Sequence, residues 1–393
     1  MKIMGIILLT LLLSIVSYIC IGSQLNNTRP EQWTQANKLF KNNTYWKGSD
    51  DAYSIKIGND KVLWLFGDSL ISNNGKRTAE ACDKMPRNSI GIKTGLNPAN
   101  AKIKYYWGNN NSITNPESFF RNPDMVKENW LWPGNVIMLP NNEGIIIFFM
   151  DIKPIETGYK FDIAGWQAVF IKNYTDSPDK WNIQWLPTDN YSYLKMLVGS
   201  GGALVEGDYL YAYSTKSEDF DQHIYIARWP LSIFKNQYPD MSNPEWWTGA
   251  SGWITESQLK IRKLQPDMLW DKGQTEFTVS KLKNGKYLLI QTTPSTDWEG
   301  NADLAYRTAE SLTGPWSDLS VIYKNLCRDN PKPKNLMVYA GKLHPELVGG
   351  NYIFTFATNT SFIEDLWGQP NLYYPRFLKL NADIFHTQLN HNK

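Results

Sequence analysis

Two short apolar runs, 52–57, where Ser54 and Lys56 alternate with apolar residues, and the unbroken 62–66, flank Gly58, Asn59, Asp60 and Lys61. Two strand-length apolar runs on either side of a four-residue turn predict a β-hairpin. Runs over 87–94 and 103–107 extend it to a four-stranded antiparallel sheet. The arrangement then recurs. A second unit has runs at 135–139, 145–149, 165–172 and 181–186, and a third at 201–205, 209–214 and 223–229, with its outer strand undefined inside the tryptophan-rich 244–254. A fourth has 277–282, 287–292, 303–308 and 320–323, and a fifth 340–348, 352–357 and 374–380. Units starting at Asp51, Gly134, Gly201, Glu276 and His344 lie 83, 67, 75 and 68 residues apart. A sheet repeated five times at this period reads as an all-β, five-bladed β-propeller, because such blades bury both faces only by packing around a shared axis. The competing all-β fold, a pair of β-sandwiches, does not call for one hairpin five times.

This fold sorts residues before any coordinates are known. The first strand of each blade lines the axis and successive strands run antiparallel. The start of strand one, the end of strand two and the start of strand three therefore share one face. That face receives Asp50, Asp51, Asp68 and Arg87 from unit one, and Trp132, Asn135, Asp151 and Trp166 from unit two. Unit three offers only a smooth wall, 199–202, while unit four gives Gln274, Glu276 and Asp297. Unit five gives His344, Glu346, Asn359, Tyr373 and Arg376.

Composition narrows the partners. With 40 basic and 38 acidic residues the net charge is +2, and there is no basic run to hold a phosphate backbone, so nucleic acid is not an expected partner. Aromatic residues make up 14% of the chain, which suits strands and sugar-binding surfaces alike. Residues 1–22 carry Lys2 and then an apolar run over 3–21, the pattern of a secretory signal peptide or of an N-terminal membrane anchor. Residues 23–45 are polar and asparagine-rich and read as a tether or a loosely packed first strand, and 46–393 as one propeller domain. The expected product is an extracytoplasmic monomer. Cys82 and Cys327 could form one long-range disulfide in an oxidising compartment, and a ring brings distant parts of the chain close enough for it.

Breaking a glycosidic bond needs a carboxylic acid to protonate the leaving oxygen and a carboxylate to attack or to activate water. Asp51 and Glu276, at the mouths of axis-lining strands, are the best-placed pair, and Glu346, held by Pro345, is a third catalytic candidate. Asp51 and Glu276 could equally be solvated strand-end acids, and Glu346 a channel-wall glutamate paired with a neighbouring base. Arg87 and Arg376 could fork onto a carboxylate or hold a sugar hydroxyl. Asp50, Asp68, Trp132, Trp166 and His344 complete the expected binding set, with tryptophan rings, including Trp298 and Trp367, as stacking platforms. Asp50, Asp51 and Asp68 crowd one edge, so they call for a shared proton or a cation, although no calcium-loop spacing supports a metal. No zinc, P-loop, dinucleotide or G-x-S-x-G motif occurs, so no cofactor is expected.

The hairpin D-D-A-Y-S-I (50–55) with W-L-F-G-D-S (64–69), the strand R-N-S-I-G-I (87–92), T-E-F-T-V (275–279), L-T-G-P-W-S (312–317) and L-H-P-E-L (343–347) carry a resemblance. Through them the chain resembles the five-bladed propeller glycosidases, which include arabinanases, xylosidases and fructan-cleaving enzymes. More narrowly it resembles secreted, mostly uncharacterised bacterial propeller domains related to endo-arabinanases. The resemblance spans 46–380. It implies a first-strand aspartate as base or nucleophile, matched by Asp51, and a glutamate as acid, matched by Glu276. The family's aspartate in unit two has no counterpart where Trp132, Pro133 and Gly134 stand, and unit three lacks its acid. The expectation is a secreted glycoside hydrolase acting on an arabinan-like or other cell-wall glycan. The rivals are a carbohydrate-binding propeller without catalysis and a scaffold for protein partners.

Overall fold

A computed structural model of the chain describes residues 29–380 and Phe385, leaving out 159, 190–192, 219–220, 295–301, 325, 327–335, 348–350 and 361. Blade 1 has strands Tyr53–Lys56, Lys61–Phe66, Ser89–Thr94 and Lys102–Tyr106. Its hairpin register pairs Tyr53 with Leu65 and Lys56 with Val62, as the alternation requires. Blade 2 has Trp130–Met138, Ile145–Pro154, Phe161–Ile171 and Ile183–Leu186. In blade 3, Leu197–Glu206, Tyr209–Glu218 and Asp221–Pro230 are followed by two short strands, Glu245–Trp247 and Trp253–Thr255, which resolve the tryptophan-rich stretch. Blade 4 has Thr278–Lys281, Tyr287–Thr292, Leu304–Ala309 and Ser320–Tyr323. Blade 5 has Leu336–Leu343, Tyr352–Thr360 and Arg376–Leu380.

The five sheets form a five-bladed β-propeller, and its core is five apolar seams. Single strands feed two seams at once. Val62, Trp64 and Phe66 turn to blade 5 while Leu63 and Leu65 turn to blade 2. Likewise Ile145, Ile147 and Phe149 face blade 1, and Ile146, Phe148 and Met150 face blade 3. A strand buried on both faces reads as an unbroken apolar run, which is why these second strands stand out in the sequence.

Of the tether or loosely packed first strand expected over 23–45, residues 31–32 form a strand: Glu31 and Gln32 pair with Lys379 and Leu378 as the outer strand of blade 5. Helix Thr34–Lys41 follows and buries Phe40 against Trp64 and Phe377, at centroid distances of 4.8 and 4.9 Å. The inner strand of blade 5 begins at Leu336 rather than near His344. A register shift between Tyr339 and Lys342 breaks its alternation and hides it. The smooth wall of blade 3 has a packing cause. A Cβ on Gly199, where φ is +76°, would lie 2.2 Å from the Phe148 ring, and one on Gly201 would lie 2.4 Å from Phe277. The expected disulfide falls outside the description, because Cys327 is not among the described residues; Cys82 is buried.

Candidate active site

The inner strand of blade 1 is preceded by Asp50, Asp51 and Ala52, and the last two take left-handed backbone, with φ of 62° and 58°. This kink, together with the glycine that ends the second strand, gathers the acids. A Cβ on Gly67 would lie 2.5 Å from Asp51 Oδ2 and 2.6 Å from Asp50 Oδ1, so only glycine lets both carboxyls rest there. Asp68 follows and receives Arg87 Nη1 at 2.9 Å and the Trp132 indole N–H at 2.7 Å. Glu276, 9% exposed, reaches the same cluster from blade 4. Four carboxyls foreseen from the sequence, Asp50, Asp51, Asp68 and Glu276, are thus brought together, with Arg87 and Trp132 beside them.

Burial pushes the proton affinities of Asp50, Asp51 and Asp68 up. Asp50 is raised to about 7 by burial and then by the charge of Asp68, against the opposing hydrogen bond from the Tyr339 hydroxyl at 2.6 Å. Asp51 is raised well above the carboxylate range by burial, by Glu276 and by Asp50. Its side chain is also within hydrogen-bonding reach of Glu276, which further favours the protonated form of Asp51. Asp51 Oδ2 is buried with no donor facing it, which suits a carboxyl that keeps its proton. Asp68 is raised by burial, with Arg87 opposing.

Lys342 and Tyr53, both missed in the sequence, complete the arrangement together with Asn135, which was expected on this face. Lys342, fully buried in the inner strand of blade 5, places Nζ 2.6 Å from Glu276 Oε2 and 2.7 Å from the Asp51 carbonyl. Its signal was a lysine next to Gly341 in a run that has to face the axis. Tyr53 donates its hydroxyl across the axis to the Ser200 carbonyl at 2.5 Å, and Asn135 Nδ2 reaches the Gly201 carbonyl at 2.5 Å. These bonds tie the inner strands together below the acids and give the cluster a floor. On the blade 2 side, Trp132 packs edge-on against Trp130 and Phe161, and the Arg87 guanidinium lies 4.5 Å over the Trp130 ring. A wall of aromatic rings bounded by hydroxyl and guanidinium groups suits the face of a sugar.

The remaining expected residues lie elsewhere. Glu346 accepts from the Ser54 hydroxyl, and His344 Nδ1 lies 2.5 Å from the same oxygen with Nε2 2.6 Å from Thr355. Both belong to the seam between blades 5 and 1, a consequence of the displaced inner strand. Burial and the Lys342 charge lower His344 to about 3, so it is a neutral hydrogen-bonding ring against Trp64. Trp166 is a core residue: its indole donates to Asp189 at 2.5 Å and its ring packs near Phe148 and Trp229. Arg376, 7% exposed, donates Nη1 to the Asn371 carbonyl. Trp298 and Asp297 lie outside the described residues. Among the described residues no group of three or more His, Cys, Asp or Glu side chains is arranged to hold a metal ion. A cavity of about 410 Å³ lies away from the acids, at the 140–143, 207–209 and 230–235 turns of blades 2 and 3.

Residues 34–382 match DUF5005, a domain of unknown function. The chain belongs to that family. Among curated proteins none matches it. Its DUF5005 domain is similar in fold to a candidate hydrolase from Bacteroides ovatus, at 17% identity and a TM-score of 0.68, covering 92% of each chain. An α-L-arabinofuranosidase from Podospora anserina solved with cellotriose superposes at 13% identity and a TM-score of 0.47, over 87% of this chain and 93% of that one. An endo-arabinase from Bacteroides thetaiotaomicron does so at 13% and 0.45, over 85% and 94%. The five-bladed fold expected from the sequence is therefore that of the DUF5005 domain, and an uncharacterised propeller is the family it falls in. No helix among the described residues is long and apolar enough to cross a membrane.

Proposed function

We propose that this domain is an exported glycoside hydrolase that cleaves a glycosidic bond in a polysaccharide. The observation that carries the reading is the gathering of Asp50, Asp51, Asp68 and Glu276 on one mouth, beside an aromatic wall, with Asp50 pushed to about 7. A carboxyl that holds its proton near neutrality and remains partly exposed can give that proton to a leaving oxygen. Asp50 is therefore the acid in this reading. The groups that flank a scissile bond stand about 5 to 9.5 Å apart, whereas Asp51 and Glu276 are in hydrogen-bonding contact. That contact supports treating Asp51 and Glu276 as one proton-sharing unit. Glu276, its charge matched by Lys342, takes the proton of the attacking water. Asp68, Arg87 and Trp132 hold the sugar, and Glu346 and His344 have no part in the reaction.

A panel of plant, fungal and bacterial-wall glycans offered to the purified protein tests this. Cleavage of one of them is expected, with a rate that falls as pH rises past about 7. Asp50→Asn and Glu276→Gln should each lower kcat by about 100-fold or more, while Glu346→Gln leaves it near the wild-type value. Wild-type rates in Asp50→Asn would refute the assignment. The rival, a glycan-binding propeller, is favoured by the closeness of Asp51, Glu276 and Lys342, and wild-type protein that binds a glycan without cutting it would select that reading.

A further inference from the structure

The carboxyl cluster has a cation problem that the chain solves internally. Three acids, Asp50, Asp51 and Glu276, face one another, and Arg87 is already engaged by Asp68. Lys342 is fully buried, yet its ammonium bonds Glu276 Oε2 and the Asp51 carbonyl and lies 4.1 Å over the Tyr53 ring. A buried ammonium is tolerated only where opposite charge and acceptors surround it. The backbone is shaped to put it there. Tyr339 and Lys342, three residues apart, would point to opposite faces of a regular strand. The irregularity between them, with Ala340 at a φ of 56°, turns both to the cluster: Tyr339 bonds Asp50 and Lys342 bonds Glu276. A bulge that re-aims a side chain in this way is a recurrent device beside functional sites. Gly341, within the bulge, also permits close approach of blade 4, since a Cβ there would lie 2.7 Å from the Thr292 nitrogen.

We propose that Lys342 is a positioning residue: its ammonium is the built-in counter-ion of the acid cluster, holding Glu276 as the carboxylate and leaving the shared proton on Asp51. This gives the pair a polarity, with one member an acceptor and the other a donor, and no metal ion is needed to set it. The inference deepens the hydrolytic reading and rests on it for its catalytic meaning, but the arrangement of charge can be tested without any substrate.

The test counts protonated carboxyls by infrared spectroscopy at neutral pH, in wild type, Lys342→Met and Lys342→Met/Glu276→Gln. Removing the ammonium should bring in a proton, so Lys342→Met is expected to show one more protonated carboxyl per chain, and the double variant should lose that gain. A folded Lys342→Met with an unchanged count overturns the proposal. Thermal unfolding covers the case in which the single variant does not fold. Removing the orphaned carboxylate should then restore a cooperative transition in the double variant, and a double variant no more stable than the single overturns the proposal. If wild type cleaves no glycan while these carboxyl counts come out as expected, the hydrolase reading fails alone.

Discussion

Replacing Asp50 by asparagine should make the protein more stable at alkaline pH. Asp50 rises from an ordinary 3.8 to about 7 in the folded chain. The native state therefore keeps its proton over a window, about pH 4 to 7, in which the unfolded chain has lost it. The stabilising contribution of this carboxyl is full below that window and is lost as pH climbs through it. Each pH unit is worth about 1.4 kcal/mol, so the whole shift sets a ceiling of about 4 kcal/mol. Asparagine imitates the protonated carboxyl, keeps an oxygen for the Tyr339 hydroxyl and never ionises. Urea unfolding followed by tryptophan fluorescence at about pH 5 and about pH 8 measures the effect. Between those two conditions the variant should gain about 2–3 kcal/mol on wild type. Parallel stability profiles for the two proteins would refute the argument, because they would mean that Asp50 is ionised at no cost.

Two further outcomes probe the scaffold. Gly201→Ala should cost about 1–3 kcal/mol, because its Cβ would press on the Phe277 ring at 2.4 Å, and a neutral result in urea unfolding would remove the packing account of the blade 3 wall. Phe40→Ala should cost about 3–5 kcal/mol by opening the seam between blades 5 and 1, read as a lowered Tm; an unchanged Tm would mean that the N-terminal helix is dispensable.

The blades were legible where both faces of a strand are buried, since runs such as Val62–Phe66 have no polar residue to blur them. Blade 5 was less legible for two physical reasons. Its outer strand comes from the other end of the chain, and no local pattern announces a partner more than 300 residues away. Its inner strand carries a buried lysine and a bulge, which together break the period of two. The misplaced strand start carried His344 and Glu346 into the expected site with it. On blade 1 the reverse held: Asp50, Asp51 and Asp68 flank a regular hairpin, so the sequence announced their convergence, which the left-handed backbone at Asp51 and Ala52 and the bare Gly67 complete. Trp166 shows the limit for aromatics, because a ring near the mouth of a blade and a ring in its seam look identical in sequence, and only the partner of its indole nitrogen separates them.

The pairing of residues 31–32 with 378–379 has a consequence for how the molecule is made. Residues 31–32 have to wait for more than 300 further residues before their partner strand exists, so the ring is latched late, at the largest loop-closure cost among the described strand pairs. Until that moment Trp64 lacks the Phe377 ring that packs against it, and the growing ring keeps an apolar seam open.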